Sequence, residues 1–243
     1  MAKTVAALLA AAAAATLALN GSGAVDAPTA LLVACIAVST ALAALATIGA
    51  AWGEWRGLRL AARRELADVQ LAATAWAIVD QVSSGLDFRD IGIAVYRSER
   101  DRWRPGHRRL RRLHRVRASR RPVTSSIRWQ PGKGVIGSCV AQGEVVAVDL
   151  TQMYRDLGDP SAGEWATVPD DVRLGLSYEE YQDARDKYAV VVASPVIDDS
   201  GTSAQVVGCV ALDGPEGRFA DLTTDEVLGL LNSAAQGLLT LVR

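Results

Sequence analysis

The sequence predicts an α+β domain in which helices flank an antiparallel sheet, preceded by two transmembrane helices. Three observations support this class. The first 53 residues contain two long runs without a charged side chain. Short apolar, β-branched segments separated by turn residues then follow along the chain. Helical patterns stand before and after these segments, so hairpins rather than βαβ units would build the sheet.

Residues 1–53 are predicted to form a membrane hairpin with helices at about 4–20 and 28–52. The second uncharged run, Ala27–Gly53, is long enough to cross a hydrocarbon core of about 30 Å. The first run, Thr4–Val25, is rich in alanine, and it either spans by packing closely on its neighbour or is a cleaved signal peptide. Four arginines follow the second run, while the loop between the runs has no Lys or Arg. The positive-inside rule then places both termini in the cytoplasm, with the protein in the inner membrane.

Residues 54–84 are predicted to form one linker helix that ends near Gly85. Its apolar residues keep a roughly helical spacing. Two interpretations remain open. It is either a connecting helix with one face on the domain, or a dimerising signalling helix continuous with the membrane segment.

Residues 85–243 are predicted to form the cytoplasmic domain, with five strands and helices on one face of the sheet. The strands are expected at Ile91–Tyr96, Arg111–Ala118, Val145–Leu150, Ala189–Asp198 and Ala204–Asp213. A short helix is expected within 177–188. A closing helix is expected over 223–242, with Thr223 or Thr224 as its N-cap.

A glycine motif lies in the middle of this domain, in the stretch WQPGKGVIGSCVAQGE. It matches G-x-G-x-x-G, and Asp149 follows at about the distance expected of a dinucleotide-binding fingerprint. However, Pro131 precedes the first glycine, and the predicted helix Ser138–Gln142 is too short for a parallel crossover. The motif therefore does not predict dinucleotide binding. Gly132 and Gly134 are expected to supply backbone freedom, and Gly137 close packing of the short helix on the sheet.

The stretch instead resembles the centre of a GAF domain. In that family a Pro/Gly-rich segment leads into a short helix, a glycine turn and a strand ending in Asp, as in PGKGVIGSCVAQGEVVAVD. The later segments SPVIDDSG and GCVALDGPEGRFADLTTDEVLGLLNSAAQGL also resemble the family. The resemblance covers roughly Leu71 to Arg243. It implies a pocket between the sheet and the variable region that follows the third strand.

The resemblance implies a small-molecule site covered by the region 151–188, which holds a high share of the few aromatic residues. These rings either stack on a planar ligand or close a second core. The candidate ligand-binding residues are Cys139, Asp149, Tyr154, Trp165, Tyr181 and Tyr188.

No cofactor, metal or enzymatic activity is expected. The cyclic-nucleotide signature of the family is missing from the sequence, and neither histidine lies near a cysteine as bilin attachment would need. The family also contains free methionine sulfoxide reductases, whose cysteines surround this pocket. Cys139 and Cys209 could serve as such a redox pair, but small buried cysteines are the commoner state. A disulfide is not expected in a reducing compartment.

Charge is strongly segregated along the chain. Residues 53–143 hold 19 basic and 8 acidic side chains, whereas residues 144–226 hold 5 basic and 18 acidic ones. Eleven arginines fall within 100–121. The first expectation is contact with anionic lipid headgroups, and the second is pairing with the acidic half of a neighbouring copy. No nucleic acid is expected, because few aromatic residues interleave with the arginines. The arginines expected at this contact are Arg108, Arg109, Arg111, Arg112 and Arg115.

Two functions follow from these patterns. The first is a membrane-anchored sensory or regulatory module that binds a small molecule or a signalling protein and forms a homodimer or higher oligomer. The second is a membrane effector, in which the domain controls oligomerisation and the hairpin disrupts the bilayer.

Overall fold

A computed structural model of the protein describes residues 2–23, 28–82, 85–101, 106–119 and 126–243. The chain divides into two compact units, Met1–Ala62 and Arg63–Arg243. The helices are α1 (Ala2–Gly21), α2 (Thr29–Gln81), α3 (Gly134–Gln142), α4 (Leu150–Leu157), α5 (Ala162–Thr167), α6 (Asp170–Arg173), α7 (Tyr178–Arg185), α8 (Phe219–Leu222), α9 (Asp225–Gly237) and α10 (Leu239–Val242). The strands are β1 (Gly92–Arg100), β2 (Arg108–Arg117), β3 (Val146–Asp149), β4 (Val190–Asp198) and β5 (Gln205–Gly214).

The N-terminal unit contains α1 and the first part of α2. Within the described residues, α2 is long and apolar enough to cross a membrane by length and composition, whereas Ala10–Gly21 is a shorter apolar helix. The expected pair of membrane helices is therefore supported for its second member and not for its first. Part of the expected turn, residues 24–27, lies outside the described residues.

The C-terminal unit is built on a five-stranded antiparallel sheet in the order β2-β1-β5-β4-β3. The α+β class and the five strands predicted from sequence are confirmed, although β1 and β2 are longer than expected. The prediction of helices on one face only was wrong. Alternate residues of β4 join different cores: Val190 and Val192 pack with α2 and α9, and Val191 and Ala193 pack with α3 and α4. Because both faces of the strand are apolar, both must be covered.

The expected linker helix is the second half of α2, which ends at Gln81 rather than at Ser84. Residues 83–84, where the helix was expected to end, lie outside the described residues. In the C-terminal unit, one side of α2 buries Ala67, Leu71 and Ile78 in the core. The opposite side carries an exposed apolar stripe, which we define as Leu66, Val69, Ala73 and Trp76.

The glycine motif forms the start of α3, which begins at Gly134 rather than at the expected Ser138. Gly132 and Gly134 have φ of 83° and 64°, as their expected backbone role requires. Gly137 permits a different contact from the one expected. A Cβ on Gly137 would lie 2.2 Å from the carbonyl oxygen of Gln130, so the close approach is to the preceding loop rather than to the sheet.

The region after β3 contains four short helices, α4 to α7, where the sequence predicted one. Capping boxes at Ser161 and Ser177 start α5 and α7, which explains how such short helices are fixed. The closing helix begins at Asp225 with Thr224 as its N-cap, as expected, but it is interrupted at Leu238 before α10.

Candidate functional site

A cavity of about 50 Å³ lies between the sheet and the helices that cover its second face. Its floor consists of residues from β1, β2, β4 and β5. Its roof comes from α3, α4, the 174–176 segment and the region of α7. Most of the lining side chains are apolar, and the charged ones are Arg112, Arg115 and Asp213. This arrangement, apolar walls with a few convergent polar groups, is typical of a small-molecule site.

The floor is laid out in rows that cross three strands. Gly92 of β1 lies between Arg117 of β2 and Asp213 of β5, and the next row on this face has Ala94 between Arg115 and Ala211. The small side chains of β1 therefore leave room for arginines that reach across from the edge strand. A Cβ on Gly92 would come within 2.6 Å of the Asp213 carboxylate, so a larger residue at this position would displace that side chain.

An irregularity in the pairing of β1 with β2 brings a further arginine to this face. Val95 pairs with His114, but Tyr96 pairs with Arg112, so the β2 strand carries one extra residue at Leu113. Side chains alternate between the faces of a strand, and a one-residue insertion reverses the alternation. Arg112 consequently lines the cavity together with Arg115, although the spacing of these two residues would place them on opposite faces of a regular strand.

Asp213 is the carboxylate at the centre of the charged group. Arg117 contacts one of its oxygens, and Arg115 Nη2 lies 3.7 Å from the other. All three side chains are mostly buried. Burial, followed by the neighbouring charge of Arg115, lowers the pKa of Arg117 to about 10. The two guanidinium groups of Arg115 and Arg117 beside the Asp213 carboxylate leave a net positive charge on this side of the cavity.

Three tyrosines line the cavity, and two of them, Tyr96 of β1 and Tyr154 of α4, have a raised pKa. Burial raises the pKa of Tyr96 to about 12, with a further contribution from Tyr188. Burial and the nearby Tyr181 raise the pKa of Tyr154 well above its usual range. Both phenols are thus neutral at physiological pH. The Tyr154 hydroxyl is buried and has no hydrogen-bond partner within the described part of the chain.

Backbone and side-chain contacts hold the roof in place. Gly134 N–H donates to the carbonyl of Leu174 at 2.7 Å, and Lys133 Nζ lies 2.9 Å from the Glu180 carboxylate of α7. Trp165 Nε1 donates to the carbonyl of Leu176 at 3.1 Å. Leu174 has a φ of 50°, a region that branched side chains seldom occupy, and its side chain lines the cavity. The roof segment is therefore held in a constrained conformation against the start of α3.

The structure brings two of the six candidate ligand-binding residues, Tyr154 and Tyr188, to the cavity. Trp165 and Tyr181 lie behind the wall in the core, where their rings stack with centroids 4.1 Å apart. Asp149 is the N-cap of α4 and accepts a hydrogen bond from Gln152 N–H at 3.0 Å. Trp165 and Tyr181 thus close a second core, whereas contact of Tyr154 and Tyr188 with a ligand stays a prediction.

Cys139 and Cys209 lie together in the core behind the cavity, and both are fully buried. A hydrogen bond with Cys139, together with burial, holds the pKa of Cys209 well above its usual range. Cys209 Sγ also lies 3.8 Å from the carbonyl oxygen of Ile136. A protonated, buried thiol is a poor nucleophile, because thiolates carry out the chemistry of cysteine. That the chain is not an enzyme stays a prediction.

The arginine set expected at lipid headgroups is divided by the fold. Arg112 and Arg115 line the cavity, whereas Arg109 is exposed and pairs with Glu99 at 2.6 Å. Arg108 and Arg111 are exposed on the edge strand. Sequence reasoning did not identify Asp213, Tyr96 or Trp129 as cavity residues. A cavity arginine could have been suspected only from Arg115 and Arg117, which alternate on a strand with apolar neighbours.

In the described ranges, no three His, Cys, Asp or Glu side chains come together as metal ligands would. The polar groups of the cavity are predominantly hydrogen-bond donors. The arrangement is suited to binding and orienting a small molecule.

No protein-family profile matches the sequence, and no curated protein matches it. Among solved structures, the chain is similar to a type II free methionine-R-sulfoxide reductase from Thermoplasma acidophilum, with 14% identity, a TM-score of 0.44, and coverage of 74% of this chain and 94% of that one. It is similar to a GAF domain, with 13% identity, a TM-score of 0.38, and coverage of 72% and 88%. It is also similar to the transcriptional regulator YaiJ, with 10% identity, a TM-score of 0.41, and coverage of 74% and 94%.

Proposed function

We propose that the protein is a membrane-anchored sensory or regulatory module of the GAF type, which binds a small molecule in the cavity and self-associates. The observation that carries this proposal is the cavity itself, whose wall includes a buried tyrosine hydroxyl and a buried guanidinium nitrogen without hydrogen-bond partners in the described residues. Buried polar groups are nearly always paired in native proteins. A ligand that supplies the missing partners would explain why Tyr154 and Arg115 are tolerated there.

Anchoring through α2 is supported by the residues that follow its apolar stretch. Trp52 and Trp55 are exposed, with ring centroids 5.9 Å apart, and the guanidinium of Arg59 lies 3.9 Å from the Trp55 ring. Tryptophan and arginine are the side chains that concentrate where a membrane helix meets the headgroups. We place the cytoplasmic membrane surface at this position on α2.

Both termini are proposed to be cytoplasmic, which requires α1 to cross the membrane as well. The residue Ser22, directly after α1, provides the test. With the native cysteines replaced, Ser22→Cys in intact cells should react with a membrane-impermeant maleimide, and Arg243→Cys should not. A Ser22→Cys variant that labels only after lysis would refute the two-span topology while leaving α2 as an anchor.

Self-association is proposed to use the exposed stripe of α2. Its members Leu66, Val69 and Trp76 are 52%, 63% and 58% exposed, on the side opposite to the buried core positions. The 3-4 spacing from Leu66 to Trp76 is the pattern of a two-helix seam. A second copy tethered in the same bilayer would present the same stripe in parallel. Val69→Ser should therefore reduce the crosslinked dimer in native membranes, whereas Arg63→Ser, on the same helix but outside the stripe, should not.

The edge strand is proposed to contact anionic lipid through Arg108, Arg109 and Arg111. Each basic residue near such a surface contributes roughly 1 kcal/mol. Only exposed arginines can act in this way, so the two cavity arginines are not included. Replacing the three by Gln should lower the binding of the protein's C-terminal unit to vesicles that contain phosphatidylserine, and added salt should have the same effect.

Ligand binding is tested on the full chain in detergent with a panel of small metabolites that includes carboxylates, amides, amines and alcohols. At least one class should raise the thermal midpoint of the wild type. Ala211→Leu fills the floor of the cavity and should abolish that increase. A panel in which no class stabilises the wild type, or in which Ala211→Leu responds as strongly as the wild type, would refute a sensory role for the cavity.

A further inference from the structure

We propose that the ligand of the cavity is a small monocarboxylate with a short aliphatic tail, whose carboxylate is bound by Arg115 and by the hydroxyl of Tyr154. This inference rests on the proposed function, namely that the cavity binds a small molecule. It adds the charge, size and shape of that molecule, which the resemblance to a family does not specify.

The charge of the ligand follows from an excess of guanidinium groups. Arg112 and Arg115 line the cavity, Arg117 lies beside it, and Asp213 is the one carboxylate among the described residues of the wall. The charge of the exposed Asp90 also acts on Arg117, where it weakly opposes the lowering of the pKa. Arg117 contacts one oxygen of Asp213. The distance from Arg115 Nη2 to the other oxygen is 3.7 Å, which is too long for a hydrogen bond. Arg112 has no ion pair within the described part of the chain.

A buried cation that shares its carboxylate partner with a second cation is incompletely neutralised, and an anion placed beside it removes that cost. Arg115 Nη2 is buried and makes no hydrogen bond to a described residue. Its planar guanidinium offers paired N–H donors, whose spacing matches the two oxygens of a carboxylate. The described lining residues include no second acidic side chain that could neutralise Arg115.

Tyr154 provides a second and independent indication. Its side chain is 5% exposed and lines the cavity from α4, opposite the strand that carries Arg115. Its hydroxyl has no hydrogen-bond partner in the described ranges. A neutral phenol can donate a hydrogen bond to an anionic oxygen. An anion can therefore accept from Arg115 and from Tyr154 together, whereas an ammonium group would be repelled by Arg115 and could pair only with the hydroxyl.

The size of the cavity limits the ligand to a few heavy atoms. Each water-sized group needs roughly 10–15 Å³ of such space, so a cavity of about 50 Å³ holds roughly three to five of them. The surfaces next to the charged groups belong to Ala94, Ala211, Val191 and Ile136. An inorganic anion would leave these apolar surfaces without contacts, and a nucleotide would not fit. An acid of two or three carbons, which has four or five heavy atoms, satisfies both parts of the wall.

The test is isothermal titration of the full chain in detergent, in a buffer free of carboxylates, with acetate and propionate. Affinity should rise by roughly fourfold from acetate to propionate, the gain expected for one added methylene group. Propionamide, which has the same shape without the charge, should bind at least about tenfold more weakly than propionate. Propylamine should not bind, and nitrate should bind more weakly than propionate.

Three variants assign the contacts. Arg115→Gln and Tyr154→Phe should each weaken propionate binding, by at least about tenfold for the arginine and by about fivefold for the tyrosine. Arg109→Gln, an exposed arginine of the same strand, is the matched control and should bind as the wild type does. Tyr154→Phe removes one oxygen atom, so it keeps the test informative if Arg115→Gln is poorly folded.

The results separate this inference from the proposed function. If propionamide or propylamine binds as tightly as propionate and Ala211→Leu abolishes that binding, the cavity is a ligand site but the inference of an anion is refuted. If nitrate binds as tightly as propionate, the inference of an aliphatic tail is refuted. If propionate binds equally well to the wild type, Arg115→Gln and Tyr154→Phe, the assigned contacts are refuted. If neither these acids nor any member of the wider panel binds, both proposals fail.

Discussion

Substitution of Gly137 by alanine tests how the glycine motif shapes the start of α3. The added Cβ would lie 2.2 Å from the carbonyl oxygen of Gln130, whereas carbon and oxygen normally approach no closer than about 3.3 Å. The loop and the helix must therefore separate by roughly 1 Å. Both contacting atoms belong to rigid parts of the chain, a helix and a backbone carbonyl, so no side chain can rotate away to relieve the clash.

The cost can be built from the contacts that the separation breaks. Gly132 N–H donates to the carbonyl of Gly137 at 2.7 Å, and losing this bond costs about 1 kcal/mol. Forced repacking of a close contact adds roughly 1–3 kcal/mol. The better helix propensity of alanine offsets about 1 kcal/mol of this loss. Gly137→Ala should therefore lower the free energy of unfolding by roughly 1–3 kcal/mol.

Gly229→Ala is the matched control. Gly229 lies inside α9, is exposed, and would place a new Cβ with no atom within 4 Å. The same chemical change should there stabilise the protein by roughly 0.5–1 kcal/mol. Urea denaturation of both variants in detergent, followed by tryptophan fluorescence, measures the difference. If Gly137→Ala unfolds within about 0.5 kcal/mol of Gly229→Ala, the reasoning from the close contact is wrong.

Three other measurements follow from single contacts. Because the pKa of Tyr96 is about 12 in the folded protein and about 10 in an unfolded chain, stability should fall as the pH rises from about 10 to about 12. Tyr96→Phe should reduce that loss by roughly 2–3 kcal/mol in urea titrations over this range, and an unchanged pH dependence would contradict the assignment. The fully buried Ser194 hydroxyl donates to Asn232 Oδ1, so Asn232→Leu should lower the free energy of unfolding by about 1–3 kcal/mol. In a double-mutant cycle, adding Ser194→Ala should recover part of this loss, and strict additivity of the two changes would count against the contact. Arg155 and Glu216 form an exposed ion pair at 2.6 Å, and Arg155→Ala should change the unfolding free energy by less than about 0.5 kcal/mol; a larger loss would show that the pair is coupled to the core.

The sequence determined the class of the fold and the order of its elements. Five apolar, β-branched segments separated by turns were sufficient for the antiparallel sheet, because the alternation of side chains and the turn residues are local properties. The N-cap at Thr224 and the conformations of Gly132 and Gly134 were also predictable, since each depends on the chemistry of one residue. The four short helices after β3 were not predicted, because helices of four to eight residues carry too few turns to show a period.

The composition of the site was decided by the tertiary structure. The sequence favoured the aromatic residues of the region 151–188, and two of them, Tyr154 and Tyr188, do line the cavity. It gave no sign that Asp213 would face them, because a carboxylate at the end of a strand looks the same whether it is exposed or buried. The long-range pairing of β5 with β1 brings it there.

The arginines of β2 show most clearly what the sequence determines and what the tertiary structure decides. Their density in β2 is visible in the sequence, and it indicates a charged surface. Which of them enter the cavity depends on one irregular step between Val95 and Tyr96, where the register of β1 against β2 changes and Arg112 joins Arg115 on the inner face. The periodicity of a single strand cannot reveal a bulge, because a bulge is a property of two paired strands. The sequence by itself determined that this protein carries a sheet with an arginine-rich edge strand, and only the pairing of that strand decided which arginines face the cavity and which face solvent.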